Sequence, residues 1–191
     1  MSAPPAMQNL YQAARAGDYE QVKALVEADP ALAIFAAAIL GDDAAMEALL
    51  AANRSLVASF SADGWTPLHL AAHFGQTAAV RLLLNKGAEA DALSTNAMKN
   101  SALHAAAAGR AVQAGKLLID FGASVDARQN GGWTPLHAVA QNGDLEFAGL
   151  LIEAGAAVNV RADNQQRPLD LALTKGQQAM VDFLESHGAA L

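Results

Sequence analysis

Thr66 and His69 stand three residues apart in the hexapeptide GWTPLH, and Thr134 and His137 repeat that spacing in an identical hexapeptide. Ser101 and His104 form a third pair in the same register. A hydroxyl beside an imidazole is the opening half of a nucleophile–base pair, in which the ring nitrogen takes the hydroxyl proton as the oxygen attacks. Such a pair needs a third group to orient the imidazole and a pocket where the nucleophile meets its substrate. The sequence supplies neither, and three copies in one register serve no single active site. The better reading is structural: each hydroxyl caps a helix, and the histidine ties neighbouring turns together by hydrogen bonds.

Other chemistries fare no better. Of five histidines, three belong to this motif and His187 lies near the end of the chain. His73 has no carboxylate or imidazole at a ligand spacing on its own helix, and there is no cysteine to complete a metal site. The stretch QNGGWT lacks the lysine and the strand–helix setting of a phosphate loop. Asp42 and Asp43 are adjacent acids, but they open a helix, where carboxylates favour the positive end of the dipole. No catalytic, cofactor-binding or metal-ligating residue is assigned, and no cofactor is expected.

The elements that would position these residues recur. Thr66, Ser101, Thr134 and Arg167 open similar segments at spacings of 35, 33 and 33 residues. A second marker, NKGA at Asn85, DFGA at Asp120, EAGA at Glu153 and SHGA at Ser186, keeps the same phase. Within one unit, Thr66 caps a short helix, Pro67 suits its first position, and Leu68, Ala71 and Ala72 give it an apolar face. Gly75 ends that helix. A second helix runs through Val80, Leu82, Leu83 and Leu84 to Gly87. The segment that follows is too short and polar for a third helix and reads as an extended hairpin loop.

A period near thirty-three, the run TPLHLAA, a mid-unit glycine and a GA-x-V-[DN] loop resemble ankyrin repeats. The resemblance covers the chain from about Leu10 and implies an all-α solenoid of helix–turn–helix units carrying β-hairpin fingers. It reads as one domain over 1–191, with units at 6–30, 31–60, 61–93, 94–128, 129–161 and 162–191. The first and last act as caps. The first is expected to lack its finger, since Gly17 and Gly41 are only 24 residues apart and Pro30 starts the next helix directly. The last replaces the threonine and histidine by Arg167 and Asp170, and its second helix carries Gln177, Gln178, Asp182 and Glu185, a polar outer face.

In this family partners usually lie along a concave groove, touching finger tips and the ends of the first helices. Transferred by register, the helix-end positions are Arg15 and Ala16, Ile39 and Leu40, His73 and Phe74, Ala108 and Gly109, Gln141 and Asn142, and Thr174 and Lys175. With the fingers, the expected partner-binding residues are Ile39, Leu40, Trp65, His73, Phe74, Met98, Lys99, Trp133, Gln141, Asn142 and Lys175. Ile39, Leu40 and Phe74, with Trp65 and Phe60 on the nearby finger, are expected to expose an apolar patch. The alternative is that the degenerate second unit buries Ile39 and Leu40. Lys99, Arg128, Arg161 and Lys175 would make the other half of the groove locally basic, interrupted by Asp63, Asp126 and Asp163. Together the two halves would suit an apolar anchor beside an acidic segment.

Unit four breaks the pattern. Its loop LSTNAMKN has two extra residues that should push Met98 and Lys99 outward. Ala102 replaces proline, and Arg110 stands where the mid-unit glycine belongs, with Gly109 one place early. Gly115 inside a helix marks this unit as the weak point of the array, at about 1 kcal/mol relative to alanine.

Composition sets the outer limits. The chain has 191 residues, 53% of them apolar but only 5% aromatic, so alanine and leucine must do most of the packing. A formal charge of −7 argues against nucleic acid, which requires a basic footprint. No segment has a secretory-signal pattern or membrane-spanning length; the longest apolar run is Ala31 to Leu40. A cytoplasmic monomer without membrane or nucleic-acid partners is expected, serving as a non-enzymatic scaffold that binds a protein. Three alternatives stay open: an inhibitor or regulatory subunit of an enzyme, an exported bacterial effector, and an enzyme hidden in the repeat frame.

Overall fold

The computed structural model describes residues 5–190; Met1 to Pro4 and Leu191 lie outside the described residues. Among them are twelve α-helices: α1 (Pro5–Ala16), α2 (Tyr19–Ala28), α3 (Ala33–Leu40), α4 (Asp43–Ala52), α5 (Pro67–His73), α6 (Thr77–Asn85), α7 (Ala102–Gly109), α8 (Val112–Asp120), α9 (Pro135–Asn142), α10 (Leu145–Glu153), α11 (Pro168–Thr174) and α12 (Gln178–Ser186). Short 3-10 turns at Pro30–Leu32 and Arg54–Ala58 follow α2 and α4. No finger separates α2 from α3; the chain passes from Asp29 through the first 3-10 turn into the next unit.

Helices begin where the sequence supplies a cap. The His69 N–H donates to Thr66 Oγ1, and Ser101 and Thr134 form reciprocal capping boxes with His104 and His137. Pro67, Pro135 and Pro168 open their helices, where no amide hydrogen is required. Of the second helices, α2, α4 and α10 are capped by acids, while α6, α8 and α12 have no side-chain cap. Asp18, Asp42 and Asp144 accept the N–H groups of Gln21, Ala45 and Phe147 at 2.9, 3.0 and 3.1 Å. Each cap of this type is worth about 1 kcal/mol.

The helices form two rows. The odd-numbered helices contact one another consecutively from α1 to α11, and the even-numbered ones do so from α4 to α12. One core of leucine, alanine and a few larger side chains runs between the rows from Met7 to Leu184. Alanines at Ala71, Ala72, Ala106 and Ala140 are fully buried and let the first-row helices approach closely.

The fingers are turns and not β-hairpins. Each is closed across its base by one backbone hydrogen bond, from Ser61 to Trp65, Ser94 to Asn100, Gln129 to Trp133 and Ala162 to Gln166, at 2.8 to 3.0 Å, with one further turn bond inside it. That is fewer than the repeated pairs that make a ladder, and no strand forms among the described residues. Successive fingers are joined by one further bond each: Thr95 N–H to Gly64 O, Asn130 N–H to Met98 O, and Asp163 N–H to Gly131 O. The two extra residues of unit four widen its finger, whose closing bond spans six residues instead of four. Met98 is 48% exposed and Lys99 takes a left-handed φ of 55° there.

Arg110, and not a glycine, ends α7 in the left-handed region, with φ 56°. Its guanidinium reaches the next unit and donates to Asn142 O at 2.8 Å. Gly109 is needed for a different reason. A Cβ at that position would sit 2.0 Å from the His73 carbonyl oxygen, so glycine is what lets α7 lie against α5. The displaced glycine of unit four thus serves close packing, and the residue after it accepts the strained backbone.

Candidate partner-binding face

The hydroxyl–imidazole pairs are made, and they are sealed. Thr66 Oγ1 lies 2.7 Å from His69 Nδ1, and His69 Nε2 lies 2.8 Å from Asn100 O in the next unit. A carbonyl can only accept, so Nε2 carries the proton and Nδ1 accepts from the threonine hydroxyl. The pattern repeats at Ser101–His104–Trp133 O (2.9 and 3.0 Å) and at Thr134–His137–Gln166 O (3.0 and 3.1 Å). Both ring nitrogens are spent, and Thr66 and His69 are 3% and 1% exposed. Burial holds all three imidazoles below their ordinary range, His104 at about 4, which keeps them neutral as this bonding requires. Each histidine is a bolt from one unit to the residue before the next helix cap.

In the last unit the bolt turns inward. Asp170 takes the histidine's place and accepts from the Arg167 backbone N–H at 2.8 Å and from its guanidinium at 3.0 and 2.8 Å. Hydrogen bonding from Arg167 lowers the Asp170 carboxyl. Arg167 also donates to the Ala190 carbonyl.

Outside this framework, the residues expected to meet a partner divide sharply. Trp65, His73, Phe74 and Met98 converge on one pocket of about 270 Å³. Leu70, Ala105 and Ala108 complete its apolar wall, and Tyr11, Arg15, His69 and Asn100 supply the polar atoms. Three first-row helices build it, α1, α5 and α7, with the fingers carrying Trp65 and Met98 above them. Tyr11 and Arg15 came from α1, and Tyr11 was not among the expected residues. A tyrosine four residues before an arginine on an amphipathic helix carries no local signal of its position against unit three.

Tyr11 organises the rim. Its hydroxyl donates to Asp63 Oδ2 at 2.8 Å, while the Ser61 hydroxyl donates to Asp63 Oδ1 at 2.6 Å. Burial, with the Asp63 carboxylate beside it, pushes the Tyr11 hydroxyl well above its usual range. The Tyr11 ring stacks on Phe74 at 6.2 Å between centroids, and the Arg15 guanidinium lies 5.7 Å from the Phe74 centroid, a cation–π distance. His73 packs edge-on against Phe74 at 5.2 Å. Its Nδ1 donates to Ala105 O at 3.3 Å, which leaves Nε2 as an acceptor, and burial lowers its pKa.

Several expectations are corrected. Ile39 is not at the surface: it is 1% exposed. Leu40 is half-buried and packed on the core, and Phe74 is likewise half-buried. The reason is tertiary. The helix α3 is apolar along its whole length and is packed against α1, α2, α4 and α5, so Tyr11 and Phe74 meet across it. The basic half of the groove is also largely spent on structure. Arg128 donates to the carbonyls of Gly132 and Arg161, and Arg161 to Gln165.

The other expected residues lie away from the pocket. Trp133 stacks on His137 at 5.7 Å, as Trp65 tilts over His69 at 5.5 Å. Asn142 donates to Ala107 O at 3.3 Å and bridges units. Gln141 is half-buried, and Lys99 and Lys175 are exposed.

Two rows of stacked helix–turn–helix pairs, bolted at one register and carrying fingers on one edge, define a helical-repeat solenoid. A family model described as ankyrin repeats (3 copies) matches residues 10–94, 34–129 and 103–191, and the chain belongs to the ankyrin-repeat family. No curated protein matches it. Ankyrin repeats are in general protein–protein interaction modules. Among the described residues no helix is long and apolar enough to cross a membrane, and no group of three or more histidine or acidic side chains could hold a metal ion.

Proposed function

We propose that the chain is a non-enzymatic protein-binding module whose partner lies along the face made by the first-row helices and the fingers. The observation that carries this reading is the pocket where Trp65, Phe74, Met98 and Tyr11 meet. It is an apolar recess with a few convergent polar groups, the general form of a binding site. The three in-register hydroxyl–imidazole pairs, by contrast, are each closed on themselves and on the next unit. Lys99, Trp133, Gln141, Asn142 and Lys175 extend the same face toward the C-terminal units and would contribute peripheral contacts.

The test is retention of a stoichiometric partner by the immobilised chain, compared with a Trp65→Ala/Met98→Ala variant of matched melting temperature. Loss of the partner from that variant, with retention by Leu145→Ser on the second row, supports the reading. Equal retention by all three chains overturns it. If the retained partner is an enzyme, its turnover with and without the chain separates a scaffold from an inhibitor.

A further inference from the structure

The pocket is small, its lining is mostly hydrocarbon, and its polar atoms are unequally satisfied. Drug-sized ligands occupy roughly 300–1,000 Å³; at about 270 Å³ this recess suits one large side chain better than a whole small molecule. Two ionised groups flank it. Asp63 already accepts a hydrogen bond at each carboxylate oxygen. Arg15 forms no ion pair and no hydrogen bond among the described residues, and only the face of Phe74 engages it. The charge with no hydrogen-bond or ion-pair partner among the described residues is therefore the positive one.

We infer that this pocket anchors one large apolar side chain of a protein partner, while a carboxylate on an adjacent residue of the same segment pairs with Arg15. This rests on the reading of the face as a protein-binding surface and adds the chemistry of the segment. Phe74 holds the guanidinium at the rim, so the carboxylate meets a preoriented donor. A cationic segment would approach Arg15 unfavourably and would meet at Asp63 a carboxylate already paired with the Tyr11 and Ser61 hydroxyls.

Four pentapeptides with acetylated and amidated ends test this on the full chain: Gly-Glu-Phe-Glu-Gly, Gly-Gln-Phe-Gln-Gly, Gly-Lys-Phe-Lys-Gly and Gly-Glu-Ala-Glu-Gly. The readout is the indole N–H resonance of Trp65, assigned by comparison with Trp133→Phe. The Glu-Phe-Glu peptide should shift it with a Kd in the low millimolar range or tighter. It should bind about fivefold better than the Gln-Phe-Gln peptide, as an exposed ion pair allows. The alanine-centred peptide should not shift it. Arg15→Gln should erase the Glu-over-Gln preference.

Equal binding of the Glu and Gln peptides, or tightest binding of the Lys-Phe-Lys peptide, overturns the proposal. So does a silent Trp65 resonance with all four peptides. If that silence accompanies a protein partner lost from the Trp65→Ala/Met98→Ala variant, the protein-binding reading stands and only the pocket chemistry falls. If no such partner is lost, both fall.

Discussion

The Tyr11 hydroxyl donates to Asp63 Oδ2 at 2.8 Å, joining the first helix to the first finger across 52 residues of chain. That bond, with the Tyr11–Phe74 stack, fixes one wall of the pocket. Tyr11→Phe keeps the ring and removes the bond. It should cost about 1 kcal/mol, the lower range for a hydrogen bond to a charged acceptor, because the pair is only partly buried. Thermal unfolding followed by circular dichroism measures it. Tyr11 also has its folded pKa raised. Its contribution is therefore complete below the unfolded value near 10 and is lost as pH rises past it. In a Tyr19→Phe background, alkaline absorbance titration should show the remaining tyrosine ionising only as the chain unfolds.

The three bolting histidines give an acid-side counterpart. Their folded pKa values lie below the unfolded value of about 6.5, through desolvation first. The unfolded chain binds protons that the folded chain refuses. Stability is complete above about pH 6.5 and falls as pH drops toward about 4, where His104 titrates. For His104 alone the loss is roughly 3 kcal/mol across that window. Urea unfolding at pH 7, 6, 5 and 4.5 should show the decline, and a His104→Gln variant should show a shallower one. An equal slope in the variant would remove His104 from this account.

Gly115 lies inside α8, where glycine is expected to weaken the helix. A Cβ there would meet Phe147 Cζ at 2.2 Å, and Phe147 is completely buried. The glycine is the socket for that ring. Gly115→Ala should therefore destabilise by about 2 kcal/mol, although helix propensity alone predicts about 1 kcal/mol of gain. Phe147→Leu should itself be costly but should relieve the alanine, so the double-mutant cycle should show a favourable coupling of at least about 1 kcal/mol. Additive effects would mean that the ring is free to move aside.

Gly109 and Arg110 separate two reasons for glycine. Gly109→Ala drives a methyl into the His73 carbonyl of α5 and should cost more than about 3 kcal/mol, since backbone cannot rotate away. Arg110→Gly relieves the left-handed φ of 56° but gives up the donation to Asn142 O. These effects oppose one another, and the change should stay within about 1 kcal/mol. Chemical denaturation of both variants decides which of the two residues the fold requires.

Much of the framework was legible because its signals are local. A threonine cap acts on a backbone N–H three residues on, and the Thr66–His69, Ser101–His104 and Thr134–His137 pairs needed only in-phase repetition to be read as architecture. The acids Asp18, Asp42 and Asp144 announce their helices in the same way. Even the odd finger of unit four was visible as two extra residues, with Met98 outermost. The groove positions of Trp65, His73, Phe74 and Met98 followed from register alone, because each unit repeats the geometry of the last.

Register could not say how neighbouring rows would cover those positions. Ile39 and His73 occupy the same place in their units, yet Ile39 is sealed while His73 lines the pocket with Phe74, Tyr11 and Arg15. Arg128 and Arg161 looked like free charge until their guanidinium groups were seen on backbone carbonyls. The sequence by itself determined the repeat, its caps, its bolts and the absence of any reason to treat the histidines as a catalytic set. These depend on backbone geometry within a turn or at one fixed repeat spacing. Only the tertiary structure decided the pocket, the Tyr11–Asp63 bond and the need for Gly109 and Gly115. Burial and close approach belong to surfaces brought together from different units, and their cost is set by atoms dozens of residues away.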